Sequence, residues 1–90
     1  MEGYPKVSSV SFRSDMRLLV TFENGVRKLY DCSPLLQTDT FGPLREEWLF
    51  RSVRADPGGY GISWSDELDL SESELWENGC LVEVEEIAPN

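Results

Sequence analysis

Along the first third of the chain, apolar positions recur at every second residue. Val10 and Phe12 share one side of residues 7–12, and Leu18, Val20 and Phe22 share one side of residues 16–22. A period of two belongs to a strand with one buried face, so two strands are expected here. Glu23-Asn24-Gly25-Val26 follows them. A two-residue type I′ turn needs positive φ at both central positions, which Asn and Gly tolerate, so Asn24-Gly25 predicts a hairpin. Its register sets Phe22 opposite Arg27, Thr21 opposite Lys28, Val20 opposite Leu29 and Leu19 opposite Tyr30. Leu29 then joins Leu18, Val20 and Phe22 on the buried face, while Leu19 and Tyr30 predict partial cover on the other.

The period then lengthens. Ser33-Pro34 is a helix start, with Ser able to cap free amides and Pro losing no bond in the first turn, and it predicts a short helical turn through Gln37. Residues 40–50 combine Pro43 near a second start, acidic Glu46 and Glu47, and apolar Phe41, Leu44, Trp48 and Leu49 at helical spacing. They predict the main helix. A strand over residues 50–55, a turn at Asp56-Pro57-Gly58-Gly59 and a strand over residues 60–64, with Tyr60, Ile62 and Trp64 on one face, predict a second hairpin. Leu68 and Leu70 keep the same parity, so one strand is expected to run on to Leu70, bent near Ser65-Asp66.

Ser71-Glu72-Ser73-Glu74 matches a capping box and Gly79 a left-handed stop, which bound a helix of about two turns with Leu75 and Trp76 inward. Residues 80–90 fit either a strand through Val82 and Val84 or a mobile tail. The expected architecture is a small single α+β domain over residues 1–79. It has two antiparallel β-hairpins, a central helix packed on the sheet and a short C-terminal helix, followed by an acidic extension over residues 80–90.

The strand, the Asn24-Gly25 hairpin ending in Leu29-Tyr30-Asp31, Pro34-Leu35-Leu36, Phe41 with Leu44, Phe50, Ile62 with Trp64, Leu68-Asp69-Leu70, and Leu75-Trp76 with Gly79 come in a fixed order. In that order and spacing the chain resembles the bacterial DUF2442 family, a domain of unknown function, over roughly residues 5–79. The resemblance implies a small α+β domain with no established activity, found alone or joined to a helix-turn-helix module, beside toxin-like partners. It transfers no functional residue. Glu67 stands where the family tends to have Gly, and the segment past Gly79 falls outside the shared pattern, so both departures add acid.

Charge sharpens this picture. Residues 1–54 carry eight basic and seven acidic side chains, whereas the remaining 36 residues carry ten carboxylates and no Lys, Arg or His. The net charge of −9 therefore divides into +1 and −10. A one-sided field of this kind attracts a basic partner and repels nucleic-acid phosphate. Asp66, Asp69, Glu72 and Glu74 lie near a helix start, where negative charge meets the dipole favourably. Glu77, Glu83, Glu85 and Glu86 lie near or past its end, so solubility or a partner must account for them.

Composition removes other classes. The longest apolar run is three residues, as in Leu18-Leu19-Val20, which excludes a helical membrane span, and the start lacks the apolar core of a signal peptide. A cytoplasmic location is expected. Cys32 and Cys80 stand 48 positions apart with no CxxC spacing, so reduced thiols and no metal or other cofactor are expected. Without His there is no Ser-His or Cys-His nucleophile pair, and the carboxylate pairs Asp66 with Asp69 and Glu46 with Glu47 read as solvated acids. No enzyme is expected. Asp66, Glu67, Asp69, Glu72 and Glu74 would supply oxygens to calcium, but Leu68 and Leu70 interrupt them at core-facing positions. Arg27-Lys28 is the only adjacent basic pair, with Arg51 and Arg54 a small second patch, too little for nucleic acid by this chain alone.

What remains is a protein-interaction surface. The candidate residues are Trp64 as an aromatic at the edge of the acidic run, Asp66, Glu67, Glu77, and the alternating Val82, Glu83, Val84, Glu85 and Glu86. They are expected to dock a basic protein partner, as an acidic antitoxin-like subunit would. A homodimeric adaptor joined through apolar strand edges is the alternative.

Overall fold

The computed structural model describes residues 4–82. Val7–Arg13 (β1), Arg17–Phe22 (β2) and Arg27–Asp31 (β3) form an antiparallel meander. A register shift between Val7 and Ser9 in β1 changes the parity of the strand, so Val7 opposite Phe22, Val10 opposite Val20 and Phe12 opposite Leu18 all face the same side. β1 and β2 join through Asp15 and Met16, which are both left-handed, with φ of 63° and 58°.

The Asn24-Gly25 hairpin exists, but its expected register is corrected by one residue. Only Gly25 of the pair is left-handed, with φ of 91°. Its N–H donates to the Phe22 carbonyl, the Phe22 N–H donates to the Val26 carbonyl, both at 2.9 Å, and Asn24 Oδ1 accepts from the Val26 N–H. The loop is thus three residues long with a glycine bulge. Leu18 faces Tyr30, Leu19 faces Leu29, Val20 faces Lys28 and Thr21 faces Arg27. A slip of one exchanges the faces of β3. Tyr30 turns into the core, 5% exposed, and Leu29 turns out beside Leu19.

Ser33–Gln37 is a 3₁₀ turn as placed by Pro34, though the Asp31 carboxylate, not Ser33, accepts the free Ser33 N–H at 2.9 Å. The single helix expected over residues 40–50 is corrected to two turns, a 3₁₀ turn at Gly42–Arg45 and a four-residue helix at Glu47–Phe50 (α1). Glu46 is extended between them, with ψ of 116°. In a continuous α-helix, Leu44 and Phe50 would project about 120° apart. The break lets both reach zero exposure, and it leaves Trp48 outside at 71%.

The second sheet has three strands, Arg54–Ala55 (β4), Gly61–Ser65 (β5) and Leu68–Ser71 (β6). The strand expected over residues 50–55 keeps only its last two residues, because Phe50 closes α1. Tyr60 precedes β5 and is exposed. The long strand expected to reach Leu70 instead folds back at Asp66-Glu67, Ser65 pairing with Leu68 and Ile62 with Leu70, so Ile62, Trp64, Leu68 and Leu70 still share the core.

Glu72–Asn78 (α2) starts as the sequence indicated, with the Ser71 hydroxyl accepting the Glu74 N–H at 3.2 Å. Leu75 is buried and Trp76 packs edge-on to Phe22, ring centroids 5.1 Å apart. Gly79 is extended and not left-handed, a further correction. A Cβ there would sit 2.7 Å from the Leu75 carbonyl and 3.0 Å from Lys28 Cβ, so the close return of the chain over the end of α2, with β3 alongside, requires glycine. Cys80–Leu81 (β7) then pairs antiparallel with β3, giving the first sheet the order β1-β2-β3-β7. The fold is a small α+β arrangement of two antiparallel sheets and few helices, with β1 lying against β4 and β5. No helix among the described residues is long and apolar enough to cross a membrane.

Gly61 fixes the junction of β5 with α2. Its φ is 152°, and a Cβ would run into the carbonyl oxygen of Leu70. Gly61→Ala is expected to lower the unfolding free energy by about 3 kcal/mol or more. Gly25→Ala, whose Cβ meets nothing within 4 Å, is expected to cost about 1 kcal/mol. Urea denaturation of the two variants checks both values.

Candidate functional site

Three carboxylates on α2 point to three different parts of the chain. Glu72 lies 4.0 Å from the Lys6 amino group, the Glu74 carboxylate accepts from the Tyr30 hydroxyl at 2.7 Å, and Glu77 accepts from the Tyr4 hydroxyl. Glu74 therefore completes only half of the capping box, because its carboxylate is turned to Tyr30 and not to the backbone of Ser71. Lys28 closes the fourth side, donating to the Trp76 carbonyl with its amino group 4.0 Å above the Trp76 ring. The acids of the helix hold it to β3 and to the segment that leads into β1.

The candidate residues do not gather at one place. Trp64 is 4% exposed, and its Nε1–H donates to the Phe50 carbonyl at 3.0 Å, so it presents no surface for a partner to cover. Asp66 and Glu67 form the exposed β5–β6 turn, with Asp69 exposed on β6. Glu77 lies on α2, which begins at the far end of β6, roughly 10 Å of strand away. Val82 is half-buried, and its N–H donates to the Arg27 carbonyl at 3.0 Å, continuing the line of β7. Glu83, Val84, Glu85 and Glu86 lie outside the described residues. Among those that are described, no three carboxylates or thiols converge closely enough to hold a metal ion.

A groove of about 450 Å³ opens beside the end of β3 that β7 does not reach. It is lined by Pro34 and Leu35, by Glu74 and Asn78 of α2, and by Leu29, Tyr30, Asp31 and Cys80. The sequence offered no sign of it. Glu74 read as a capping residue, Tyr30 as an outward side chain, and the groove exists because the register slip turned Tyr30 inward to meet Glu74. Among the described residues, Trp48, Leu81 at 62% exposure, Tyr60 at 60% and Tyr4 are the large apolar side chains left open to contact.

Burial and hydrogen bonding set the protonation of Tyr30 and Asp31 in the groove and of neighbouring Cys32. The Tyr30 hydroxyl is held far above its usual range, first by burial and then by its bond to the Glu74 carboxylate. Cys32, fully buried, is pushed up to about 12 by burial and the nearby Asp31 charge. Asp31 is held below the usual carboxylate range because its carboxylate accepts the Ser33 N–H. Tyr30 thus stays a neutral donor and Asp31 an anion.

The family model described as Protein of unknown function (DUF2442) matches residues 7–79. No curated protein and no solved structure matches the chain.

The raised acids give a stability profile with a definite sign. In the unfolded chain Cys32 and Tyr30 lose their protons near pH 9 and 10, while in the folded chain both hold them to higher pH. Their contribution is therefore complete below about pH 9 and is lost as pH rises through the folded values. Urea unfolding is expected to show roughly 2 kcal/mol less stability at about pH 10.5 than at about pH 8. The double variant Cys32→Ala, Tyr30→Phe should lose that part of the pH dependence.

Proposed function

The chain belongs to the DUF2442 family, and from that premise we propose that it is a non-enzymatic interaction module whose acidic C-terminal half docks a basic protein, as an acidic antitoxin-like subunit would. The observation that carries this reading is the division of charge, ten carboxylates and no cation over residues 55–90. Folding does not restore the balance. Asp66, Glu67 and Asp69 face solvent, while cations from the other half are drawn into internal contacts, Lys6 to Glu72 and Tyr60, Lys28 to Trp76, Arg51 to Glu47 and Phe12. Carboxylates presented this way steer a basic surface from a distance and set its orientation on arrival. A cytoplasmic setting belongs to the same proposal and suits the two free thiols, Cys32 and Cys80.

A second reading, the homodimeric adaptor, is favoured by one feature, exposed Leu81 on the short edge strand β7. Salt separates the two, since a steered ionic contact is screened at about 1 M salt, where the Debye length falls to about 3 Å. The tagged protein is expected to retain a basic protein at low salt and release it at high salt. The variant Asp66→Asn, Glu67→Gln, Asp69→Asn should retain markedly less. Equal retention by the variant counts against the acidic surface, and self-association that survives high salt selects the homodimer.

A further inference from the structure

β7 leaves the last two residues of β3 uncovered. Cys80 stands opposite Leu29 and Leu81 opposite Lys28, and from there the chain runs toward Arg27. Tyr30 and Asp31 extend past the start of β7. Backbone groups along a strand turn alternately to its two sides. The Cys32 N–H donates to Met16 on the β2 side, and the Arg27 carbonyl accepts on the β7 side, so Asp31 turns its own N–H and C=O to the open edge. That edge borders the 450 Å³ groove.

The groove combines an apolar wall with two carboxylates. Pro34, Leu35 and Leu29 supply the wall, Asp31 and Glu74 the charge, and no Lys or Arg lines it. Tyr30 engages only Oε2 of Glu74, leaving the other oxygen to accept. Arg17, opposite Asp31 on β2, pairs with Asp15 at 3.4 Å and reaches the Asp31 carboxylate only as the smallest of the causes that lower it. Among the described residues no cation lies within 4.0 Å of the Asp31 or Glu74 carboxylate. A cation is the complement this lining lacks.

We propose that the groove seats one arginine or lysine of the basic partner, carried on a short extended segment. Its cation meets the carboxylates of Asp31 and Glu74, its apolar neighbours pack on Pro34, Leu35 and Leu29, and its backbone bonds to the open edge at Asp31. The mode is strand addition with a charged side chain for specificity. This inference rests on the reading of a basic partner and names where that partner is anchored.

The test is an amide NMR titration of the full chain with N-acetyl Leu-Arg-Leu amide and with its Leu-Gln-Leu counterpart. The arginine peptide is expected to shift residues 29–35 and 74–80, and the glutamine peptide to leave them in place. Glu74→Gln and Asp31→Asn each keep an oxygen for Tyr30 or Ser33, so both should fold. Each should weaken the arginine peptide about tenfold. Glu23→Gln, exposed in the hairpin loop at the opposite end of β3, should bind it as the natural chain does. Shifts gathered at residues 65–69 would overturn the groove while leaving the acidic surface as the docking face. An equal response to the glutamine peptide, or no response in the groove, would also overturn it, with the salt-dependent retention experiment then judging the broader reading alone. Groove shifts that grow with protein concentration before peptide is added would give the site to a second copy instead.

Discussion

Trp64 stands where three parts of the chain meet. Its ring lies nearly parallel to Phe50 at 6.1 Å, with Phe41 edge-on at 6.4 Å, and Phe50 in turn meets Phe12 of β1 edge-on at 5.4 Å. α1 has four residues, too few to hold itself as an isolated helix, and its last carbonyls have no partner within it. One of those carbonyls, at Phe50, takes the Trp64 indole N–H. The bond satisfies two polar groups that burial would otherwise leave unpaired, at a cost of about 1–3 kcal/mol each. It also explains why the residue best placed by sequence to touch a partner is committed inside. A tryptophan beside acidic residues has the composition of an interface rim, but here the strand reverses just after it, and the turn carries the acids away from the ring.

The elements legible in the sequence were those written in short-range chemistry. The Asn24-Gly25 loop, Pro34 at its helical turn, the Ser71 cap and the Leu75-Trp76 pair all stand where local rules put them. What failed was whatever depended on one residue of phase. Asn24 lends its side chain to Val26 without taking positive φ, the loop grows to three residues, and β3 exchanges faces. Nothing between residues 22 and 27 signals that choice, because both turns accept Asn-Gly. The break at Glu46 was hidden in the same way. Its physical reason is the demand that Leu44 and Phe50 share one core, a long-range condition that spacing alone does not carry. The groove depends on the register that β3 adopts, and so it was invisible in the sequence.

The acidic half has two roles that a count of charges merges. Glu72, Glu74 and Glu77 each hold a partner within the chain, and the partners come from outside the acidic half, Lys6, Tyr30 and Tyr4. Glu77 sits near the end of α2, where the helix dipole disfavours a negative charge, and the Tyr4 hydroxyl supplies the compensation that a basic residue would ordinarily give. These acids fasten the second half of the chain to the first. Among the described residues Asp66, Glu67 and Asp69 hold no such partner, and the proposal of an external partner rests on them.

A sheet edge left open beside carboxylates also decides which strands can approach it. An exposed edge with free backbone groups invites another copy of the same chain, and proteins limit this with short edge strands and charge. β7 is two residues long, and Asp31 and Glu74 flank the stretch of β3 that it leaves uncovered. Another copy of a chain with net charge −9 meets repulsion there, whereas a segment carrying a cation meets attraction. The same carboxylates that discourage self-pairing therefore select for the opposite charge. Protection of the edge and the proposed recognition of a basic segment rest on the same electrostatics, acting on two kinds of visitor.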